Sequence, residues 1–246
     1  MLNFAKRNFK ELIRDPLSFI FAIALPMFLL FIFQMFKIPN QIYQIKNFTP
    51  GIIVFGFGFI TLFTCMLVSK DRSSSLLIRL GVSPMKSSDY ILGYMLSLVP
   101  LIIIQNILFF TLAIILGLEF NINIIFTVLV SIVVGIFYIG VGVLIGSCFN
   151  EKSAPPISSV IIQLICFTSG MYFPKEAMGK VFIVICKVLP FESSLNIVRG
   201  VMNNTSIGLR SILTFSIYTI AIVIIATLVF NKKMVSDNKW DLKSII

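Results

Sequence analysis

Histidine is absent from the 246 residues, and charged side chains make up only 12% of them. The missing histidine removes the commonest metal ligand and the side chain best suited to general base work near neutral pH. Most intramembrane metalloenzymes and hydrolases go with it. The shortage of charge excludes more. A soluble domain carries about 25% charged residues, and a water-facing shell cannot be assembled from so few. A soluble globular protein, a disordered tail and a nucleic-acid-binding module are all ruled out. Cysteine is scarce too. Cys65, Cys148, Cys166 and Cys186 lie far apart and form no Cys-x-x-Cys pair, so they read as small apolar side chains rather than disulfides or metal ligands. A phosphate-cradling glycine loop is also missing, because the only Gly-Lys, Gly179-Lys180, lacks a glycine at the required upstream position. The first residues mix charged and apolar types and do not read as a cleavable signal.

What is abundant is apolar surface: 58% of the residues are hydrophobic and the mean hydropathy is +1.01. The chain is therefore counted in membrane spans of about 20 residues each. Six apolar runs suit, at about 17–36, 51–69, 91–117, 124–147, 156–173 and 209–230. None has a charge in its interior, as a bilayer demands when each costs about 2.5–3.5 kcal/mol on insertion scales. Ahead of them, residues 1–15 read as an amphipathic helix lying in the membrane interface. Leu2, Ala5, Phe9, Leu12 and Ile13 fall on one side, and Lys6, Arg7, Lys10 and Arg14 on the other, toward anionic headgroups. Between the fifth and sixth runs, 181–189 is apolar but too short to span. Pro190 should break it before a second short helix over about 192–202. Irregular backbone at membrane depth must pack on protein or line a wet cavity, so 174–208 is expected to re-enter the outer leaflet and cap the bundle.

Six spans put both termini on one side. With them inside, the inner segments hold Lys6, Arg7, Lys10, Arg14, Lys70, Arg72, Arg79, Lys86, Lys152, Lys232, Lys233, Lys239 and Lys243, thirteen of the 20 cations, and the outer segments hold the other seven. The retention of Lys and Arg on the cytoplasmic side then favours cytoplasmic termini. The fold class expected is an all-α membrane protein over residues 1–246, with a cytoplasmic loop at 70–90 and a solvated tail at 231–246.

That loop is the most informative stretch. Ser73-Ser74-Ser75 can cap a helix, Leu76, Leu77 and Leu80 give it an apolar face, and Gly81 with Pro84 stops it. Such a helix suits docking against another protein or resting on the membrane. In the second run, Phe55, Phe59 and Phe63 form one stripe, either packing or lipid-facing, or the apolar wall of a substrate path. Gly142-x-x-x-Gly146 permits close helix approach, within the chain or between copies. Gln105 and Asn106 are polar at membrane depth, bonded to neighbouring helices or facing a substrate. No buried carboxylate or cation suggests an ion relay.

Four features in order resemble the permease subunits of the ABC-2 type transporter family. They are Arg14-Asp15-Pro16 after the N-terminal helix, Asp71-Arg72 followed by Leu77, Leu80 and Ser83-Pro84, then Ser169-Gly170-Met171-Tyr172-Phe173-Pro174, and finally Leu189-Pro190 with Arg199-Gly200. Ser73-Ser74-Ser75-Leu76 departs from the family's Glu-x-Gly-Thr at that place. The resemblance implies a transport subunit with no ATPase of its own, driven by a separate ABC ATP-binding subunit that holds ATP and Mg, in a unit with a second permease chain, expected to be identical. Arg72, Leu76, Leu77 and Leu80 would form the coupling helix, and Arg7 and Lys10 would also meet the ATPase. Spans 2 and 5 would line the cavity between the two permeases, with Thr61, Thr64, Gln163, Phe167 and Thr168 joining the phenylalanine stripe. A path without charges suits a hydrophobic or amphipathic cargo such as a peptide toxin, an antimicrobial peptide or a drug, exported from a bacterial cell. The His-free, Ile/Lys/Asn-rich composition resembles proteins of low-GC Gram-positive bacteria. The rival readings are an intramembrane enzyme, for which no convergent acid–base set exists, a permease for lipid or polysaccharide, and a membrane scaffold or immunity protein that sequesters a toxin.

Overall fold

The computed structural model describes residues 2–36, 38–74, 87–173 and 179–244, with side chains undescribed at 17, 18, 87, 88 and 234–244. Among the described residues the regular structure is helical, with no strand. Helix α1 is Leu2–Ile13, α2 Pro16–Met35, α3 Ile45–Ser73, α4 Ser87–Ile115, α5 Asn123–Cys148, α6 Ala154–Thr168, α7 Lys180–Val188, α8 Pro190–Met202 and α9 Leu209–Ser244, with a 3₁₀ turn at Gln41–Tyr43. Among the described residues four helices are long and apolar enough to cross a membrane, α3, α4, α5, and α9 as far as Lys233, and the bent pair α7–α8 would make a fifth if taken as one span. The apolar stretches of α2 (Phe19–Met35) and α6 (Ala154–Thr168) are shorter. At about 1.5 Å per residue, the 15 residues of α6 rise about 22 Å, less than the hydrocarbon thickness of about 30 Å. The run expected to span from 156 to 173 stops early because Ser169-Gly170 bends the chain, with Gly170 at φ 78°, a conformation that favours glycine.

Helix α3 is the axis of the bundle. It packs most heavily on α5 and then α6, and also touches α2, α4 and α8. Glycine makes those approaches possible. A Cβ at Gly142 would come within 2.6 Å of the Thr61 carbonyl, and one at Gly146 within 2.7 Å of the Cys65 carbonyl. The Gly142/Gly146 pair is therefore used within the chain, on α3. Gly58 serves α6 in the same way, where a Cβ would meet Ile162. Gln105 ties three helices together, donating from α4 to the carbonyls of Ala22 on α2 and Gly56 on α3. Asn106 instead bonds its own helix at Ile102. Helices α7 and α8 meet at 73° across Leu189-Pro190. Of the pair, α8 is the buried member, packed on α9, α5 and α3.

The side of α1 buried against the bundle is Phe4, Ala5, Asn8 and Leu12, while Leu2 and Ile13, expected toward the membrane, are 70% and 52% exposed. The rotation follows Phe4, which wedges edge-on between Tyr90 and Tyr94 over Gly93. The loop expected from 70 begins later, since Lys70-Asp71-Arg72-Ser73 is still the last turn of α3. Helix α9 continues past 231 to Ser244.

Candidate functional site

Two places gather side chains of functional character. The first is an open groove of about 530 Å³ between α2, α3 and α6. Leu29 and Phe33 line it from α2, Tyr43 from the 3₁₀ turn, Phe55 from α3, Ile162, Gln163, Cys166 and Phe167 from α6, and Tyr172 and Phe173 from the bend after α6. Among the described residues no Lys, Arg, Asp or Glu lines it. Phe167 stacks on Phe173, with centroids 5.9 Å apart. At the other wall Phe33 stacks on Tyr43 at 5.3 Å, and the Tyr43 hydroxyl donates to the Tyr172 carbonyl at 2.6 Å. The Ser-Gly-x-x-Phe bend is thus stitched to the turn before α3. It also anchors the groove from below, because buried Met171 fills the space left by Gly51. The arrangement can bind an apolar body and offer a few neutral hydrogen-bonding groups, of which the Gln163 amide is exposed.

Three of the expected path residues, Phe55, Gln163 and Phe167, meet in this groove. Phe59 packs edge-on to Phe55 with centroids 5.5 Å apart. Phe63 lies further along the stripe, at a smaller hollow of about 100 Å³ with Leu12, Met66, Leu67 and Lys70. Thr61 and Thr64 face α5 instead. Both are fully buried, with Thr61 donating to the Tyr138 carbonyl at 3.0 Å and Thr64 to Ile60 at 2.7 Å. Thr168 is 2% exposed and bonds the Leu164 carbonyl. These threonines close helix contacts. Sequence reasoning missed Phe33, Tyr43 and Cys166. Tyr172 lay inside a motif already noticed, but the 3₁₀ turn that brings Tyr43 to it leaves no periodic signal.

The second place is a polar junction where α1 meets the ends of α3 and α4. Arg7 makes a forked pair with Asp71, Nη2–Oδ1 2.6 Å and Nη1–Oδ2 3.2 Å. The Tyr94 hydroxyl donates to the same carboxylate at 2.8 Å. Asp71 is fully buried, and forked, charge-assisted bonds of this kind are what such burial requires. Glu11 bridges Arg7 at 2.8 Å and Lys70 at 2.7 Å. Burial opposes the Arg7 charge, but the hydrogen bond and field of Asp71, with Glu11, outweigh it, and the guanidinium pKa is raised. One residue on, Arg72 turns the other way. Its Nη1 donates to the carbonyls of Ser147 at 2.5 Å and Gly146 at 3.2 Å, a cation on the open carbonyls of a helix C-terminus. Ser73 then bonds Glu151 at 2.7 Å. The last turn of α3 is thereby fastened to α1 on one side and to the α5–α6 connection on the other. Leu76, Leu77 and Leu80 lie outside the described residues. Lys10 is exposed and borders a concavity of about 540 Å³ with Lys6, Arg14 and Lys70.

A family model for the ABC-2 type transporter matches residues 2–203, from α1 to the end of α8. The chain belongs to the ABC-2 type transporter family. A comparison with curated proteins finds no match. ABC-2 domains are the membrane-embedded permeases of ABC-type transporters. They normally lack ATPase activity and generally pair with an ABC ATP-binding subunit, so this is a multi-pass membrane transport component. Both the groove and the junction fall inside the matched region, which makes them parts of an ABC-2 permease domain rather than additions to it.

Proposed function

We propose that the chain is the permease half of an ATP-driven bacterial exporter for hydrophobic or amphipathic molecules, amphipathic helical peptide toxins of the phenol-soluble modulin type being the specific cargo in view. Two identical chains work with a separate ATP-binding cassette subunit that holds ATP and Mg. In this reading α2 and α6 also cross the bilayer, giving six spans. Both termini are cytoplasmic, α1 lies in the inner interface, and the bent α7–α8 pair re-enters from the outside. The observation that carries it is the groove: a cavity of about 530 Å³ with aromatic walls and, among the described residues, no ionic group, on the two helices that would face the partner permease. Such a surface holds the apolar face of a helix and offers nothing to a bare ion or a heavily charged sugar. The junction supports the driven half of the reading. The segment around 72–80, with Arg72, Leu76, Leu77 and Leu80, is the docking segment. Its start at Arg72 is the last turn of α3, so a push there reaches α1 through Asp71 and Arg7 and the α5–α6 connection through Arg72.

The test is transport in proteoliposomes holding the chain and an ABC ATP-binding subunit, with a fluorescent amphipathic helical peptide as cargo. ATP-dependent movement that falls at least about fivefold in Gln163→Trp, with the protein still folded, supports the reading. Peptide binding with no ATP-dependent movement would make the chain a sequestering scaffold instead.

A further inference from the structure

Helix α1 has three sides. Its buried side packs on α4 and carries Phe4, Asn8 and Leu12. At about 100° per residue, the next sector holds Phe9, Leu2 and Ile13, of which Leu2 is 70% and Ile13 52% exposed. The sector after that is a row of cations one turn apart, Lys6, Lys10 and Arg14, all exposed. Among the described residues none of these three has a side-chain ion pair or hydrogen bond, whereas neighbouring Arg7 is held by Asp71 and Glu11. The row borders the concavity of about 540 Å³ at the end of α3. The carboxylates on the same rim, Glu11 and Asp15, are engaged within the chain.

We propose that this face of α1 binds an anionic phospholipid, its phosphate among Lys6, Lys10 and Arg14 and its upper acyl chain along Leu2, Phe9 and Ile13. Charge complementarity selects an anion, and the apolar strip beside the cations selects an amphiphile. A soluble phosphate or an acidic protein surface would satisfy the three cations and leave Leu2 and Ile13 in water. The concavity holds the headgroup at the side of the Arg7–Asp71 junction, so the lipid acts as a counter-ion to the α1–α3 contact. The inference uses the proposed function only in placing α1 at the membrane surface.

The test uses the full chain in detergent, given phosphatidylglycerol or phosphatidylcholine of the same acyl chains, with bound lipid counted by native mass spectrometry. A third arm supplies glycerol 3-phosphate. Juxtamembrane cations near an anionic surface each strengthen binding several-fold, so phosphatidylglycerol should be retained at least about tenfold better than phosphatidylcholine. The variant K6Q/K10Q/R14Q should lose that preference while its unfolding temperature in phosphatidylcholine stays the same, since the three side chains hold nothing inside the protein. Leu2→Ser with Ile13→Ser should weaken the lipid without affecting glycerol 3-phosphate. Equal retention of the two lipids, a preference that survives the triple variant, or glycerol 3-phosphate binding as tightly as the lipid would each overturn the proposal. If the triple variant keeps its lipid but loses an ATP-binding subunit, the row is a protein-docking face and the permease reading stands. If the lipid preference behaves as expected but no ATP-binding subunit drives cargo, the permease reading fails and the lipid site stands.

Discussion

Helices α3 and α9 both read as strongly apolar membrane spans, yet 83% of the most apolar window of α3 is buried in the protein and only 11% of that of α9. The difference lies in glycine rather than in hydrophobicity. Helix α3 carries Gly56 against α4 and Gly58 against α6, with Gly51 under Met171 of the bend after α6, and its Thr61 and Thr64 meet Gly142 of α5 at close range. Helix α9 has no glycine from Leu209 to Lys233, and presents Ile217, Ile220, Ile224 and Leu228 outward. Lipid is as apolar as leucine, so helix contacts in a bilayer come from close packing and from polar groups that pair. Hydropathy therefore shows that a helix crosses. Glycine shows what it faces.

The sharpest way to break the comparison is at the charged end of α3. Asp71→Ala leaves Arg7 beside a vacated, water-poor site, and a broken buried pair costs about 3–5 kcal/mol. Because Arg7 is 37% exposed, solvent recovers part of this. The expected loss is about 2–3 kcal/mol, read as a lower unfolding temperature in detergent, with Asp71→Asn less affected because it can still accept from Tyr94. An unchanged midpoint for Asp71→Ala would remove the junction from the account. Gly142→Leu comes next. The added side chain meets the Thr61 carbonyl, and overpacking of that kind costs about 1–3 kcal/mol. The same glycine-to-leucine change has no counterpart on α9, where Ile220→Ala should shift stability by less than about 0.5 kcal/mol. If the α9 substitution proved the more damaging, the division between a packed axis and a lipid-facing helix would be wrong. The smallest stability effect is expected in the groove. Gln163→Ala should leave unfolding within about 0.5 kcal/mol while changing which peptides are carried.

Much of this layout is legible in the sequence. The helices from α2 to α5 fall where apolar runs predict them, and the Leu189-Pro190 break divides α7 from α8. The face of α1 is harder to read, because amphipathic patterning separates Leu2, Phe9 and Ile13 from the cations but does not show that part of the helix packs on protein. The structure buries Asn8 with Phe4, Ala5 and Leu12, since the fit of Phe4 over Gly93 sets the rotation. The groove is half visible. Phe55 and Phe59 stand out at helical spacing and Gln163 enters only through the family resemblance, while Tyr43 comes in through a three-residue turn with no period. The threonines, too, rest on the family resemblance alone, which places spans 2 and 5 on the cavity; in this chain Thr61 and Thr64 are buried and bond main-chain carbonyls, the commonest refuge for a hydroxyl away from water.

The account rests on a gate moved by a motor in another molecule. Cys166 lines the groove, and Cys65, Cys148 and Cys186 can be replaced by alanine to leave it as the sole thiol. With an ABC ATP-binding subunit bound, the rate at which a membrane-impermeant maleimide labels Cys166 should change at least about fivefold when ATP is added, and Asp71→Ala should abolish the change. A labelling rate that is the same with and without the subunit and ATP would contradict it.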